Sequence, residues 1–363
     1  MLDVKFKVAV IGCGRISKKH LGLITEQFCN DLKLVAICDI DQHKLAVAGQ
    51  RYKCPTFSSI QEMLYVSKPD IVVILSESGN HGEHIRISAT FPIKAIICEK
   101  PLCLKLEEAK HAIALCAEKN IELFLVKQNR LNPPIVKLFE ALENGRLGKL
   151  VLGSIRVRWC RTQEYYDQAS WRGTWELDGG ALANQASHHV DLLLEAMGPA
   201  VSVMAYSQTM LAEIEAEDTL VAIVQFKNGA MGTIEITTAT RPKDLEGSIS
   251  VLGSSGVVEV GGFAVNKIKT WEVVNEPLNN NDLSRLNEDP PDVYGYSHYR
   301  YYKNAIHDLR GATSVATRGR DGLKSLDLIH AIYQSTVTGQ EVLIGTNYKA
   351  SLLGHPLILK NGI

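Results

Sequence analysis

A lysine ends the apolar run Ala95-Ile96-Ile97-Cys98-Glu99-Lys100-Pro101-Leu102, and an amide, an imidazole and a carboxylate recur at Asn184, His188 and Asp191. Oxidising a secondary alcohol needs a group that takes the hydroxyl proton as hydride leaves carbon, and a histidine near neutral pKa or a lysine lowered by its surroundings does that. Lys100 also holds the oxygen as negative charge develops on it. An apolar stripe at Leu182, Val190, Leu193 and Leu194 predicts a helix over Ala181 to Met197, which places 184, 188 and 191 on one face at i, i+4 and i+7. Packing gives no reason to gather three polar groups there unless they line a site. Taken alone, His188 reads equally as a satisfied structural histidine and His189 as its exposed or structural neighbour; the combination with Lys100 points to chemistry.

A second constellation lies near the amino end. Val8-Ala9-Val10-Ile11-Gly12-Cys13-Gly14-Arg15-Ile16-Ser17 sets two glycines between a buried strand and an amphipathic helix, where backbone amides and the helix start hold a pyrophosphate. A bland tight turn is the competing reading. Asp39 closes the next strand, Val35-Ala36-Ile37-Cys38, where it meets a ribose diol. That carboxylate repels a 2′-phosphate, Ile40 follows it, and no arginine comes before Arg51, so NAD is favoured over NADP. Ser76-Glu77-Ser78-Gly79-Asn80-His81, past the third strand, also reads as a polar turn and helix cap.

The elements that must carry these residues alternate strand-like and helix-like from Lys7 to Val126, the beat of a doubly wound parallel sheet. A lysine at the carboxyl edge of such a sheet lies near a ligand, and Pro101, with no amide hydrogen, stops its strand. Asn132-Pro133-Pro134 interrupts the beat, which divides the chain into a nucleotide domain, 1–128, and a second α+β domain, 129–363. The latter offers strand-like runs from Leu150 to Val260 joined by Lys227-Asn228-Gly229 and Gly253-Ser254-Ser255-Gly256, a large open, mainly antiparallel sheet. A helix over about 323–338 is expected to pack back on the first domain, and 275–294 reads as a loop or lid.

Bulk composition narrows the partners. The chain has 363 residues, 39 basic and 40 acidic, and a formal net charge of −1, so no global field favours nucleic acid or an acidic membrane. Eight cysteines form no C-x-x-C pair and read as free thiols. No leader or membrane-length apolar run is evident, and a reducing cytoplasm is expected. His81 and His84 are at i, i+3 without a third ligand, so no metal site is expected.

Gly12-Cys13-Gly14-Arg15-Ile16, Cys98-Glu99-Lys100-Pro101 and Gly179-Gly180-Ala181-Leu182-Ala183-Asn184-Gln185-Ala186-Ser187-His188-His189-Val190-Asp191 together resemble the Gfo/Idh/MocA oxidoreductases, and the likeness runs through essentially the whole chain. In that family the E-K-P lysine and the histidine of a D-x-G-x-H-x-x-D stretch flank a sugar or inositol hydroxyl beside the nicotinamide, which implies catalytic roles for Lys100 and His188. Asn184 and Ala186 replace the usual aspartate and glycine, which implies a substrate hydrogen bond rather than a base at Asn184. The family's cofactor loop T-P-x-x-x-H corresponds to Ser76 through His81, without the proline.

Arg172, between Trp171 and Trp175, suits a carboxylate or phosphate and reads equally as a surface arginine stacked on indole; Tyr296 or His298 is expected as a further sugar contact. The expected cofactor contacts are Gly12, Gly14, Arg15, Ile16, Asp39, Ser76, His81, Glu99, Lys100, Gln128, Trp171 and Arg172. The resemblance implies hydride transfer between NAD and a secondary hydroxyl of a sugar or nucleotide-sugar, such as the 3-hydroxyl of a UDP-acetamido sugar. An inositol or free-sugar dehydrogenase is the alternative; a non-redox dinucleotide-binding sensor or lyase is the alternative of another class. The second domain's sheet is expected to build a homodimer or homotetramer.

Overall fold

A computed structural model describes residues 5–290, 295–312 and 316–357. They divide into two compact units, one of Val126 and the residues before it together with His298–Leu323, the other of Lys127–Ser297 and the residues from Lys324 onward.

In the first unit β1 (Phe6–Ile11), α1 (Ser17–Gly22), β2 (Leu32–Cys38), α2 (Gln42–Tyr52), β3 (Thr56–Phe57), α3 (Ile60–Ser67), β4 (Ile71–Ile74), α4 (His81–Ser88), β5 (Ala95–Cys98), α5 (Leu106–Glu118) and β6 (Glu122–Leu125) follow in chain order. All strands are parallel, in the order β3-β2-β1-β4-β5-β6. Every residue of β4 and β5 is buried, which is why these strands are uninterrupted apolar runs rather than alternating ones. The order reverses beside β1, the switch point where such sheets take nucleotides. Two short elements lie between α2 and β4: β3 is two residues long, and α3, with apolar Ile60, Met63 and Leu64 at i, i+3 and i+4, starts from its Ser59 cap, whose hydroxyl accepts from the Glu62 amide at 3.3 Å.

The second unit holds α6 (Pro133–Glu143), β7 (Leu150–Arg158), α7 (Gln163–Tyr166), α8 (Ser187–Met197), β8 (Ala200–Gln208), β9 (Thr219–Phe226), β10 (Met231–Thr237), β11 (Glu246–Gly253), β12 (Gly256–Gly261), β13 (Lys267–Val273) and α9 (Asn280–Leu286). The chain continues through α10 (Ser297–Leu309) and α11 (Asp321–Thr338) to β14 (Val342–Leu343). Its eight-stranded sheet runs β13-β12-β11-β7-β10-β9-β8-β14, with β7 and β10 parallel and the other pairs antiparallel. Strand β9 alternates buried and exposed residues, one face in the core and one in water. Met204, Tyr206, Val221, Ile223 and Met231 stand exposed, adjoining ion pairs of Arg158 with Glu235 at 2.6 Å and Arg156 with Glu259 at 2.9 Å.

Two expectations are corrected. The stretch 275–294 contains α9, closed by a capping box at Asn279 and Asp282; its last four residues lie outside the described ones. The helix expected over Ala181 to Met197 is broken: Ala181–Gln185 forms a π-helical turn, and α8 begins anew at Ser187 after Ala186. Among the described residues no helix is long and apolar enough to cross a membrane.

The turn after β1 is sterically fixed. Gly12 has φ +99°, and a Cβ there would come within 2.7 Å of the Leu75 backbone, whereas at Gly14 it would meet nothing within 4 Å. Gly12→Ala is therefore expected to lower the unfolding free energy by about 1–3 kcal/mol, and Gly14→Ala to leave it within about 1 kcal/mol. Urea denaturation of both variants measures this; equal losses would contradict the steric account.

Candidate active site

The first unit supplies a pinned glycine turn. Gly12 donates to Cys38 O at 2.8 Å, and Ser17 Oγ donates to Gly14 O at 2.7 Å, so the small buried hydroxyl at the third fingerprint position closes the turn itself. Asp39 is clamped by two amides, Cys13 N on Oδ2 at 2.6 Å and Asp41 N on Oδ1 at 2.8 Å. Each oxygen keeps a lone pair for a diol. These features fit NAD: the open side of Gly14 admits a pyrophosphate, and Asp39 is preset for a ribose. Arg15 is exposed and Ile16 half-buried. Burial, with Asp39 nearby, pushes the Cys13 thiol up to about 12, so it is no thiolate nucleophile.

Ser76 and His81 serve as a staple between loops. Ser76 Oγ lies 2.8 Å from His84 Nδ1, while buried His81 places Nδ1 2.7 Å from Pro101 O and Nε2 3.0 Å from Ser76 O. The loop after β4 is thereby tied to the Lys100-Pro101 turn after β5. Burial holds His81 below the ordinary histidine pKa, although both carbonyls pull the other way.

Glu99 is buried directly before Lys100. Its Oε1 meets His20 Nε2 at 2.9 Å and His298 Nε2 at 3.4 Å, and its Oε2 accepts from Lys100 N at 3.1 Å. His298, expected as a sugar contact, is thus 1% exposed and engaged with a carboxylate. Tyr296 is 46% exposed, its hydroxyl donating to Asp289 O at 3.3 Å.

In the second unit the break at Ala186 separates Asn184 from the helix that carries His188. The Asn184 amide donates to Asp178 Oδ1, and Asp178 Oδ2 accepts from Gly173 N at 2.7 Å. Asp191 is spent on a fork from Arg130 at 2.7 and 2.9 Å and on Lys127 Nζ at 3.3 Å. Burial raises that carboxyl, but Lys127 and Arg130 overcome it and hold Asp191 below the ordinary carboxylate range. The expected face of three polar groups is accordingly split: Asp191 anchors α8, while Asn184 belongs to the turn before it.

A polar cluster extends from Asn184. Gln185 Nε2 donates to Asn184 Oδ1 and, at 3.1 Å, to Tyr165 Oη, which also accepts from Arg172 Nη1 at 2.7 Å. Arg172 stacks on Tyr165 and Trp171, with 4.4 and 4.6 Å to the ring centroids, and its buried Nε has no acceptor among the described residues. Gln128 is buried in a short 3-10 turn with its Oε1 likewise unpartnered. Asp178, Tyr165 and Gln185 escaped sequence reasoning: Asp178 and Gln185 lie inside the motif without marking themselves by type or period, and nothing local points to Tyr165.

Residues 6–126 match the oxidoreductase family's NAD-binding Rossmann fold, and residues 140–344 match that family's C-terminal alpha/beta domain. The WlbA dehydrogenase from Bordetella pertussis, in complex with NADH and UDP-GlcNAcA, is 42% identical over 96% of this chain and 100% of its own, with a TM-score of 0.91. Its counterpart from Chromobacterium violaceum, in complex with the same two molecules, is 38% identical over 96% of this chain and 98% of its own, with a TM-score of 0.89. A D-apiose dehydrogenase from Paraburkholderia graminis is 24% identical over 93% of this chain and 89% of its own.

His189, beside His188, is fully buried with neither ring nitrogen hydrogen-bonded among the described residues, and burial lowers its pKa from 6.5 to about 4. A base depressed on folding stabilises the fold above its unfolded pKa, and that stability is lost as pH falls from about 6.5 to 4, about 3 kcal/mol at full extent. Relative to wild type, His189→Leu should therefore gain stability as pH falls from neutral towards 4, read by urea denaturation across pH. A difference that does not change with pH would show that the ring is not held neutral.

Proposed function

The chain belongs to the Gfo/Idh/MocA oxidoreductase family, and from that premise we propose that it is an NAD-dependent dehydrogenase oxidising the 3-hydroxyl of a UDP-linked acetamido sugar acid of the UDP-GlcNAcA type. The observation that carries the substrate class is the pair of relatives, 42% and 38% identical, held with NADH and UDP-GlcNAcA. Arg172 supports it from this chain: a planar guanidinium stacked between two rings, with a buried Nε–H lacking an acceptor among the described residues, suits a carboxylate or phosphate oxygen.

Bound NAD supplies the acceptor for the hydride that leaves the alcohol carbon. The glycine turn at Gly12 and Gly14, with Arg15 and Ile16 after it, takes the pyrophosphate and Asp39 the ribose diol. Ser76, His81, Glu99, Gln128 and Trp171 shape the rest of the cofactor's surroundings. His188 Nε2 or Nδ1 takes the hydroxyl proton, Lys100 holds the oxygen as it becomes a carbonyl, and Asn184 hydrogen-bonds the sugar. Tyr296 is a further sugar contact.

The first unit supplies the glycine turn and Asp39 to the cofactor, and the second supplies Arg172, Asn184 and His188 to the substrate. A second copy of the chain covers the apolar sheet face of Met204, Tyr206, Val221, Ile223 and Met231, giving a homodimer or homotetramer. All eight cysteines are free, which suits a reducing cytoplasm.

Steady-state reduction of NAD with UDP-GlcNAcA, UDP-GlcNAc, myo-inositol and free sugars tests the reading. UDP-GlcNAcA is expected to give the highest kcat/KM, Arg172→Ala to raise KM for that acid more than for UDP-GlcNAc, and Lys100→Met and His188→Ala each to lower kcat by about 10²–10⁴-fold. Unchanged turnover in the Lys100 and His188 variants would remove their roles. A preference for inositol or free sugars would overturn the substrate.

A further inference from the structure

Four consecutive amides of the turn that carries Asn184 are held by two buried residues. Gly180 N and Ala183 N each donate to Tyr333 Oη at 3.3 Å. Ala181 N donates to the Glu217 carbonyl at 2.9 Å, and Leu182 N to Glu217 Oε1 at 2.8 Å. The circle closes where Tyr333 Oη donates to that same Oε1 at 3.1 Å. Glu217 Oε2 is buried without a hydrogen-bond partner among the described residues, and a Cβ on Gly180 would sit 1.8 Å from it. The two-glycine sequence Gly179-Gly180 thus leaves room for a carboxyl group.

We infer that Glu217 and Tyr333 are positioning residues for the redox step, a clasp that fixes the turn from Gly180 to Asn184 and, through it, the start of the helix bearing His188. The inference rests on the dehydrogenase reading above. Neither residue is placed against substrate; their work is to hold the backbone from beneath. A short irregular turn has few amide partners of its own; Asn184 N, donating to Gly180 O at 3.0 Å, and Ala186 N, donating to Ala181 O at 2.9 Å, close bonds across it. Without the clasp, four amides would be left buried and unpaired, and the turn would move to find partners.

The clasp is also titratable. Burial raises the Glu217 carboxyl to about 7, against the pull of the Leu182 amide and the Tyr333 hydroxyl. The charged groups facing it are few: Tyr333 on α11, whose own hydroxyl is kept protonated by burial, and Asp218 beside it, which raises Glu217 further while accepting from Met210 N at 2.8 Å and Leu211 N at 2.7 Å. Near neutrality the carboxyl passes from neutral to charged while Oε1 keeps its two donors, so the hold on the turn tightens as pH rises.

Tyr333→Phe and Glu217→Gln, made in the full-length chain, test this by amide hydrogen exchange and by kinetics. Tyr333→Phe should speed exchange across residues 180–184 while leaving NAD affinity unchanged, and lower kcat on the order of tenfold to a hundredfold with a smaller change in KM. Glu217→Gln, which keeps the shape and removes the charge, should flatten the part of the wild-type kcat–pH profile that titrates near pH 7. Unchanged exchange in Tyr333→Phe, or faster exchange with unchanged kcat, overturns the inference, as does a Glu217→Gln profile identical to wild type. If the wild-type protein oxidises no sugar, the dehydrogenase reading fails, and the exchange measurement still decides whether the clasp orders the turn.

Discussion

Taking a carboxylate out of water costs several kcal/mol unless donors meet its oxygens, and Glu99 is buried where β5 ends. His20 from α1, His298 from α10 and the amide of Lys100 meet it. Burial raises the carboxyl, but the imidazoles reverse the sign and hold Glu99 well below the ordinary range. His20 is lowered as well, by burial, against the pull of Glu99. Neutral His20 then donates from Nε2 and accepts at Nδ1, 2.8 Å from the Tyr302 hydroxyl, which gives the chain from Tyr302 through His20 to Glu99 one direction. Two distant segments, α1 and α10, are thereby bound to the residue before Lys100, and the lysine backbone has little freedom left.

The second unit solves a related problem with backbone amides instead of imidazoles. Asp178 explains why an amide stands at 184: its carboxylate accepts from the Asn184 side chain, and an aspartate there would set two like charges in contact. An amide at 184 avoids that repulsion and supplies Asp178 with a donor. Asp191, which does keep the family pattern, works as an anchor: with Arg130 and Lys127 it ties the buried helix α8 to the chain just after β6.

The two units also differ in how their sheets meet water. Parallel strands β4 and β5, buried throughout, need no polar alternation, whereas β9 alternates strictly and leaves Val221 and Ile223 in solvent. Exposed apolar residues on the open face beside paired Arg158 and Glu235 give that face a greasy centre and a charged margin.

Local chemistry was legible in the amino-acid order. The Gly12-to-Gly14 turn, Asp39 at a strand end, and Lys100 stopped by Pro101 each depend on a few neighbouring residues and on a period of two or 3.6, so the doubly wound sheet and the mainly antiparallel one could be read from pattern. The helix through Ala181 to Met197 was misread because periodicity cannot see a break made by tertiary partners. Glu217 meets Leu182 from 35 residues away, and Tyr333 meets Ala183 from 150. Those bonds outweigh the helical propensity of Ala181-Leu182-Ala183. His298, expected as a sugar contact, is buried against the Glu99 carboxylate, a pairing that no local sequence signal shows. Which polar groups are spent on each other is a property of burial, and burial exists only once the chain has folded.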